Sequence, residues 1–144
     1  MWVPMPSNLS VTVAAGMKRI CADFTKRVAP FGFVKSGARV WRRERGRLCD
    51  TIYFHRSGST YGAPRTASVD IRVELSVRSL DGLALKSDSV VHSTTARRFT
   101  GYAYHHRFNA ETWSTYDRCL DELTLFVTEF AEPWFATAEV GERE

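Results

Sequence analysis

The chain has 144 residues, of which 44% are hydrophobic and 25% charged, with a formal net charge of +4. That length suits one domain able to bury roughly 68% of the surface its unfolded chain exposes, and the composition excludes a disordered polymer or a fibrous repeat. Three cysteines, Cys21, Cys49 and Cys119, with no close pair, exclude a disulfide scaffold and a four-cysteine zinc site and point to a reducing compartment, the cytoplasm.

No run reaches the roughly 18 apolar residues of a membrane span. Met1 to Gly16 lacks the basic start of a targeting peptide, and Pro4 and Pro6 interrupt it. No membrane partner is therefore expected. Charge is distributed unevenly: residues 1–110 hold eighteen Arg or Lys against seven Asp or Glu, residues 111–144 two against nine. Such a split predicts either opposed basic and acidic faces or mutual neutralisation across a packed helix and sheet.

In chain order, residues 1–8 read as an irregular arm. From about Leu9, the apolar residues Val13, Met17, Ile20, Phe24 and Val28 recur every three or four positions, one face of a helix that Pro30 stops. Phe31-Gly32-Phe33 and Ser36-Gly37 read as turns. Arg39 to Arg43 is a short strand, Glu44 to Arg47 a hairpin connection, and Leu48 to Ser57 a strand with Leu48, Ile52 and Phe54 on one face and Cys49, Thr51, Tyr53 and His55 on the other. Ser57 to Thr66, with two glycines and Pro64, reads as a long exposed connection.

The clearest pattern is Ser68 to Arg78, where Val69, Ile71, Val73, Leu75 and Val77 alternate with polar residues. So clean an alternation predicts an antiparallel sheet with one covered face. Ser79 to Thr95 is ambiguous. Arg97 to Phe108 reads as a strand or strand pair on its aromatic content, Phe99, Tyr102, Tyr104 and Phe108. Asn109 is placed to cap a final helix on which Trp113, Tyr116, Leu120, Leu123, Val127, Phe130 and Trp134 form one face, with Pro133 bending its end. The whole predicts a single α+β domain over 1–144 (core about 9–136, residues 137–144 irregular), an antiparallel sheet with N- and C-terminal amphipathic helices on one face.

The order of these features carries a resemblance. An amphipathic helix, Gly32-Phe33-x-Lys35-x-Gly37, Trp41-x-Arg43, a strand ending near Arg56-Ser57, a long alternating strand and a terminal helix closing on Pro133-Trp134-Phe135 resemble domain of unknown function family 4304, over about residues 12–136. The resemblance implies a small bacterial α+β protein and transfers no catalytic residue. The chain departs from the family pattern in having no Asn within Asp70 to Val77.

No motif fixes a reaction. Asp70 and Glu74 share a strand face, but residues four apart in a strand lie about 13 Å apart at Cα, beyond the roughly 5 to 9.5 Å between glycosidase carboxyl groups; Arg72 between them suits a charge ladder. His105 and His106 are adjacent, so a strand would turn them to opposite faces, and His55 and His92 have no ligand spacing. Cys49 and Cys119 fit buried apolar roles better than nucleophilic ones. No catalytic residue, metal or cofactor is assigned.

Binding is better supported. Lys35 to Arg56 contains seven basic residues against Glu44 and Asp50, interleaved with Trp41 and Tyr53. Arg39, Trp41, Arg42, Arg43, Arg45 and Tyr53 are the candidate contacts to a protein partner with an acidic surface, through an exposed sheet face or the basic hairpin. The second reading is a small-molecule groove or small enzyme lined by His55, Arg72, Tyr102, Tyr104 and His105. Single-stranded nucleic acid, stacking on the aromatics of the basic segment, is the third.

Overall fold

A computed structural model of the chain describes residues 8–56, 66–81, 90–98 and 100–138. The predicted connection at 57–66 falls almost wholly outside them, as do Phe99 and residues 82–89 of the ambiguous stretch.

Helix α1 (Asn8–Val28) buries Val13, Met17, Ile20, Phe24 and Val28, the face that their spacing predicts. Lys26 and Arg27 in its last turn complement the negative end of the helix dipole. Ala29–Phe31 then tightens into a 3-10 turn containing Pro30, and Gly32, at φ 93°, turns the chain toward the sheet. A side chain at Gly32 would be strained by that φ and would meet Arg43 Cδ at 3.3 Å.

Six strands follow: β1 (Val34–Gly37), β2 (Val40–Arg45), β3 (Leu48–Arg56), β4 (Ser68–Ser79), β5 (Val90–His92) and β6 (Arg107–Asn109). All pairings are antiparallel, in the order β1-β2-β3-β4. Both short strands lie on β4, with β5 against Glu74–Ser76 and β6 against Ser68–Asp70. The first turn sits one residue later than its glycine suggests: β1 runs through Gly37, and Ala38 and Arg39 make the turn.

Every second residue of β4, from Val69 to Val77, is buried. Cross-strand register carries this division through the sheet. Ile52 and Phe54 face Leu75 and Val73 on the helix side, and Tyr53 and His55 face Glu74 and Arg72 on the other. Phe24 of α1 packs its ring 4.8 Å from Trp41 and 4.6 Å from Phe54, locking helix to sheet. The α+β antiparallel architecture with helices from both ends of the chain is thus the one the alternation predicts.

Three elements differ from their sequence readings. Among the described residues of Arg97 to Phe108, only the end is a strand. After β5, a 3-10 turn (Ser93–Thr95) and a turn at Gly101 (φ 91°) arch away from β4. Ser93 Oγ accepts the Val73 N–H at 2.9 Å and the His106 carbonyl accepts the Ile71 N–H at 2.8 Å, so irregular chain satisfies the β4 edge.

The last main helix begins at Tyr116, not beside Asn109. Asn109 Oδ1 does accept the N–H groups of Glu111 (2.8 Å) and Thr112 (2.9 Å), but the turn it caps is not propagated, because Trp113 and Thr115 have φ of 64° and 62°. The regular spacing of Trp113 and Tyr116 reflects packing on one ring, Phe108, rather than a shared helix. Beyond α2 (Tyr116–Phe126), a π-helical turn (Val127–Ala131) leads into α3 (Glu132–Thr137). Pro133 supplies no N–H and crowds the carbonyl four residues back; the widened turn before it absorbs both, so the helical path continues through the position where Pro133 is expected to break or bend it.

Candidate functional site

Strand register builds one row across the sheet face that no described helix covers: Val40, Tyr53, Glu74 and His92, one residue from each of β2, β3, β4 and β5. His55 stands diagonal to Glu74 on β3, and Arg72 is its direct cross-strand partner. Glu74 Oε1 is the meeting point, 3.4 Å from His55 Nε2 and 3.8 Å from His92 Nε2. The Tyr53 ring lies on the His55 imidazole, centroids 4.4 Å apart, as residues two apart on a strand allow.

All three titratable side chains at the centre are about one third exposed, 33% for His55, 30% for Glu74 and 36% for His92. A carboxylate between two imidazoles can orient both rings, accept a proton from either and stabilise a charged one. Arg72 Nε and His92 Nδ1 are turned inward without a hydrogen-bond partner among the described residues. Among the described residues no three His, Cys, Asp or Glu are grouped to hold a metal ion.

Around this centre the face is mixed. Arg42, Arg72, Arg78 and Arg107 share it, and none has an ion-pair partner among the described residues. Val34 and Val90 are exposed apolar positions on the same face, 69% and 49% accessible.

The proposed groove residues separate into two groups. His55 and Arg72 come together. Tyr102 is exposed in the arch, whereas Tyr104 and His105 belong to the α2 side: the Tyr104 hydroxyl donates to Glu129 at 3.1 Å and its ring edges onto Phe126, and the His105 N–H donates to Glu122 at 2.8 Å. Burial and the neighbouring Glu129 push the Tyr104 phenol up to about 12. A single groove containing all five does not form, because residues 100–105 do not extend the sheet.

The basic hairpin divides as well. Trp41 is fully buried, its indole N–H donating to Thr25 Oγ1 at 2.9 Å, so it cannot act as a surface anchor. Arg43 and Arg45 point to the helix side, where both grip the buried Asp50 carboxylate. Arg43 also donates to the Phe31 carbonyl (3.0 Å) and pairs with Glu132, while Arg45 donates to the Phe135 carbonyl at 2.7 Å. Burial opposes the Arg43 charge, but its bonds to Glu132 and Asp50 outweigh this and raise its pKa further. These two arginines fasten α3 to the sheet, with carboxylates and a carbonyl of the domain already on their guanidinium groups. Arg42 and Tyr53 remain on the helix-free face, and Arg39 is half-buried at the α1 side.

Part of the charge asymmetry is thereby resolved. Arg43–Glu132 (2.7 Å), Arg27–Asp121 (3.0 Å) and Arg98–Glu122 (3.8 Å) join the basic first part of the chain to its acidic end. The site residues missed in the sequence are Glu74 as a hub and His92. Nothing local marks His92; only the pairing of β5 with β4 brings it to the hub. No protein-family model, curated protein or solved structure gives a significant match to the chain.

Proposed function

We propose that the chain is a bacterial binding protein, in line with its resemblance to domain of unknown function family 4304, and that it recognises an acidic protein partner through the helix-free sheet face. The observation that supports this reading is the row Tyr53–Glu74–His92 with His55 and Arg72 beside it, set among arginines that have no ion-pair partner among the described residues. A carboxylate flanked by aromatic rings, with arginines and exposed valines around it, matches the mixed composition of protein-recognition surfaces. Unpaired arginines supply steering and charge-assisted bonds to carboxylates.

Affinity capture from a native bacterial extract tests the reading, with three baits compared: wild type, Arg42→Glu/Arg78→Glu, and Lys26→Glu on the helix side. A protein retained by wild type and Lys26→Glu but lost from the double variant supports it. Equal retention by all three removes the sheet face as the contact.

A second reading is acid–base chemistry or small-ligand binding at His55 and His92, favoured by the one observation that both imidazoles meet a single Glu74 oxygen. It predicts that His55→Ala and His92→Ala each abolish the thermal shift produced by a hit from a small-molecule screen. Retained shifts in both variants count against it.

A further inference from the structure

Between α1 and the β1–β2 hairpin, on the opposite side of the sheet from the histidines, lies a cleft of about 310 Å³. This is the lower end of the range for small-ligand sites, about 300 to 1,000 Å³. Its floor is Ala14, Met17 and Cys21, and its rim is Lys18, Lys35 and Arg39. Met17 and Cys21 are buried, whereas Lys18 and Lys35 reach solvent.

The rim cations differ from the paired arginines around them. Arg19, Arg27, Arg43, Arg45 and Arg47 each meet a carboxylate. Lys18, Lys35 and Arg39 meet none among the described residues, and no Asp or Glu lines the cleft. Register explains the arrangement. Lys35 is the cross-strand partner of Trp41 and so takes the helix side of the sheet, and Arg39 sits in the turn that closes the hairpin. Both lie close enough to Cys21 to favour its thiolate, but burial prevails and holds the thiol at about 11, so the floor stays neutral.

An apolar floor under three cations without counter-ions matches a ligand with an apolar body and one anionic end. We propose that this cleft binds a small amphipathic anion, an aliphatic chain lying on Ala14, Met17 and Cys21 with a carboxylate or phosphate head between Lys18, Lys35 and Arg39. Neither the sheet-face site nor its partner is needed for this binding.

The test follows the Met17 methyl resonance of the full chain, labelled at methionine methyl carbon, during titration with decanoate, decyl phosphate and decanol. Saturable shifts are expected for at least one of the two anions, with decanol weaker by about tenfold or more. The tighter anion identifies the head group. Lys35→Glu/Arg39→Glu is expected to weaken binding by about tenfold or more, and Ala14→Trp, which fills the cleft from an exposed position, to abolish it. Circular dichroism melts of both variants establish that they are folded. The proposal is overturned if neither anion gives a saturable Met17 shift up to about 1 mM, if decanol binds as well as the anions, or if binding survives the rim double substitution.

Discussion

Asp50 and Arg43 face each other across β3 and β2, with Asp50 inaccessible to solvent and an Arg43 Nη2 to Asp50 Oδ2 distance of 2.8 Å. Arg45 holds the same carboxylate through Nε at 3.0 Å and Nη2 at 3.1 Å. One buried anion therefore bridges two guanidinium groups, which in turn bind Glu132 and the Phe135 carbonyl and so fix α3. Among the described residues, removing Asp50 leaves Arg45 without a carboxylate and Arg43 with Glu132 alone. Asp50→Ala is expected to destabilise the domain by about 3 to 5 kcal/mol, read from urea unfolding midpoints at constant m-value. Asp50→Ala/Arg43→Met/Arg45→Leu should recover a large part of that loss, since the two cations that lack Asp50 are removed with it. A loss below about 1 kcal/mol in the single variant would mean that the cluster is hydrated like a surface pair.

A pH dependence follows from His106. Burial against Phe126 pushes its imidazole down to about 4, and the bond from Nε2 to the Glu122 carbonyl at 3.2 Å offsets this only in part. The unfolded chain then binds a proton near pH 6.5 that the folded chain refuses until about pH 4. Stability contributed by neutral His106 is complete above pH 6.5 and falls on acidification through that window, by about 3 kcal/mol in all. Glu122 adds to the acid loss lower down. Burial raises its carboxyl pKa, but the His105 N–H, Arg118 and Arg98 prevail and hold it below the ordinary value. Urea unfolding at pH 7.5, 5.5 and 4.5 should show a declining midpoint. His106→Gln should be flatter between pH 6.5 and about 4 and parallel to wild type only below that; an unchanged slope would remove His106 as the cause.

The thiols are expected to be silent. Burial raises Cys21 to about 11 and Cys119 to about 12, the latter helped by Asp70 and Glu122. Compared with a thiol at 9.0, Cys21 exposes about 100-fold less thiolate at neutral pH. Ellman's reagent at pH 7.5 should therefore label neither residue in the folded chain and both in urea. Rapid labelling of Cys21 or Cys119 without denaturant, located by peptide mass, would contradict their packing.

Gly16 is the closest approach between α1 and the β6 corner. A Cβ there would lie 2.7 Å from Ala110 Cβ and 3.3 Å from the Phe108 ring, and neither group is a flexible chain end. In an exposed helix Gly→Ala gains about 1 kcal/mol. Here Gly16→Ala should instead lose about 1 to 3 kcal/mol through overpacking, and Gly16→Ala/Ala110→Gly should restore most of it. A rise in melting temperature for the single substitution would show that helix and strand can separate freely.

How much of this was legible in the sequence depended on whether the signal was local. The β4 alternation and the α1 stripe are periodic, so their buried faces could be read directly, and with them the α+β class. Trp41, Arg43 and Arg45 could not be placed, because a one-residue shift exchanges the two faces of a strand and a run that is basic on both does not mark the buried one; only the register against Asp50 and Ile52 turns them inward. The aromatic content of residues 97–108 suggested strand, yet Tyr104 and His106 stack with each other against Phe126 and need no ladder. Half of the candidate site was visible as His55 and Arg72. The other half, Glu74 as hub and His92, depends on a pairing of β5 with β4 that has no marker in the three residues of β5.

The central claim is that recognition occurs on the helix-free sheet face, and quantitative affinity capture with face-specific variants tests it most directly. The account predicts a protein recovered by wild type and by Lys26→Glu, and depleted about tenfold or more with Arg42→Glu/Arg78→Glu at equal bait loading and equal melting temperature. Recovery of the same protein in equal amount by the double variant would contradict it.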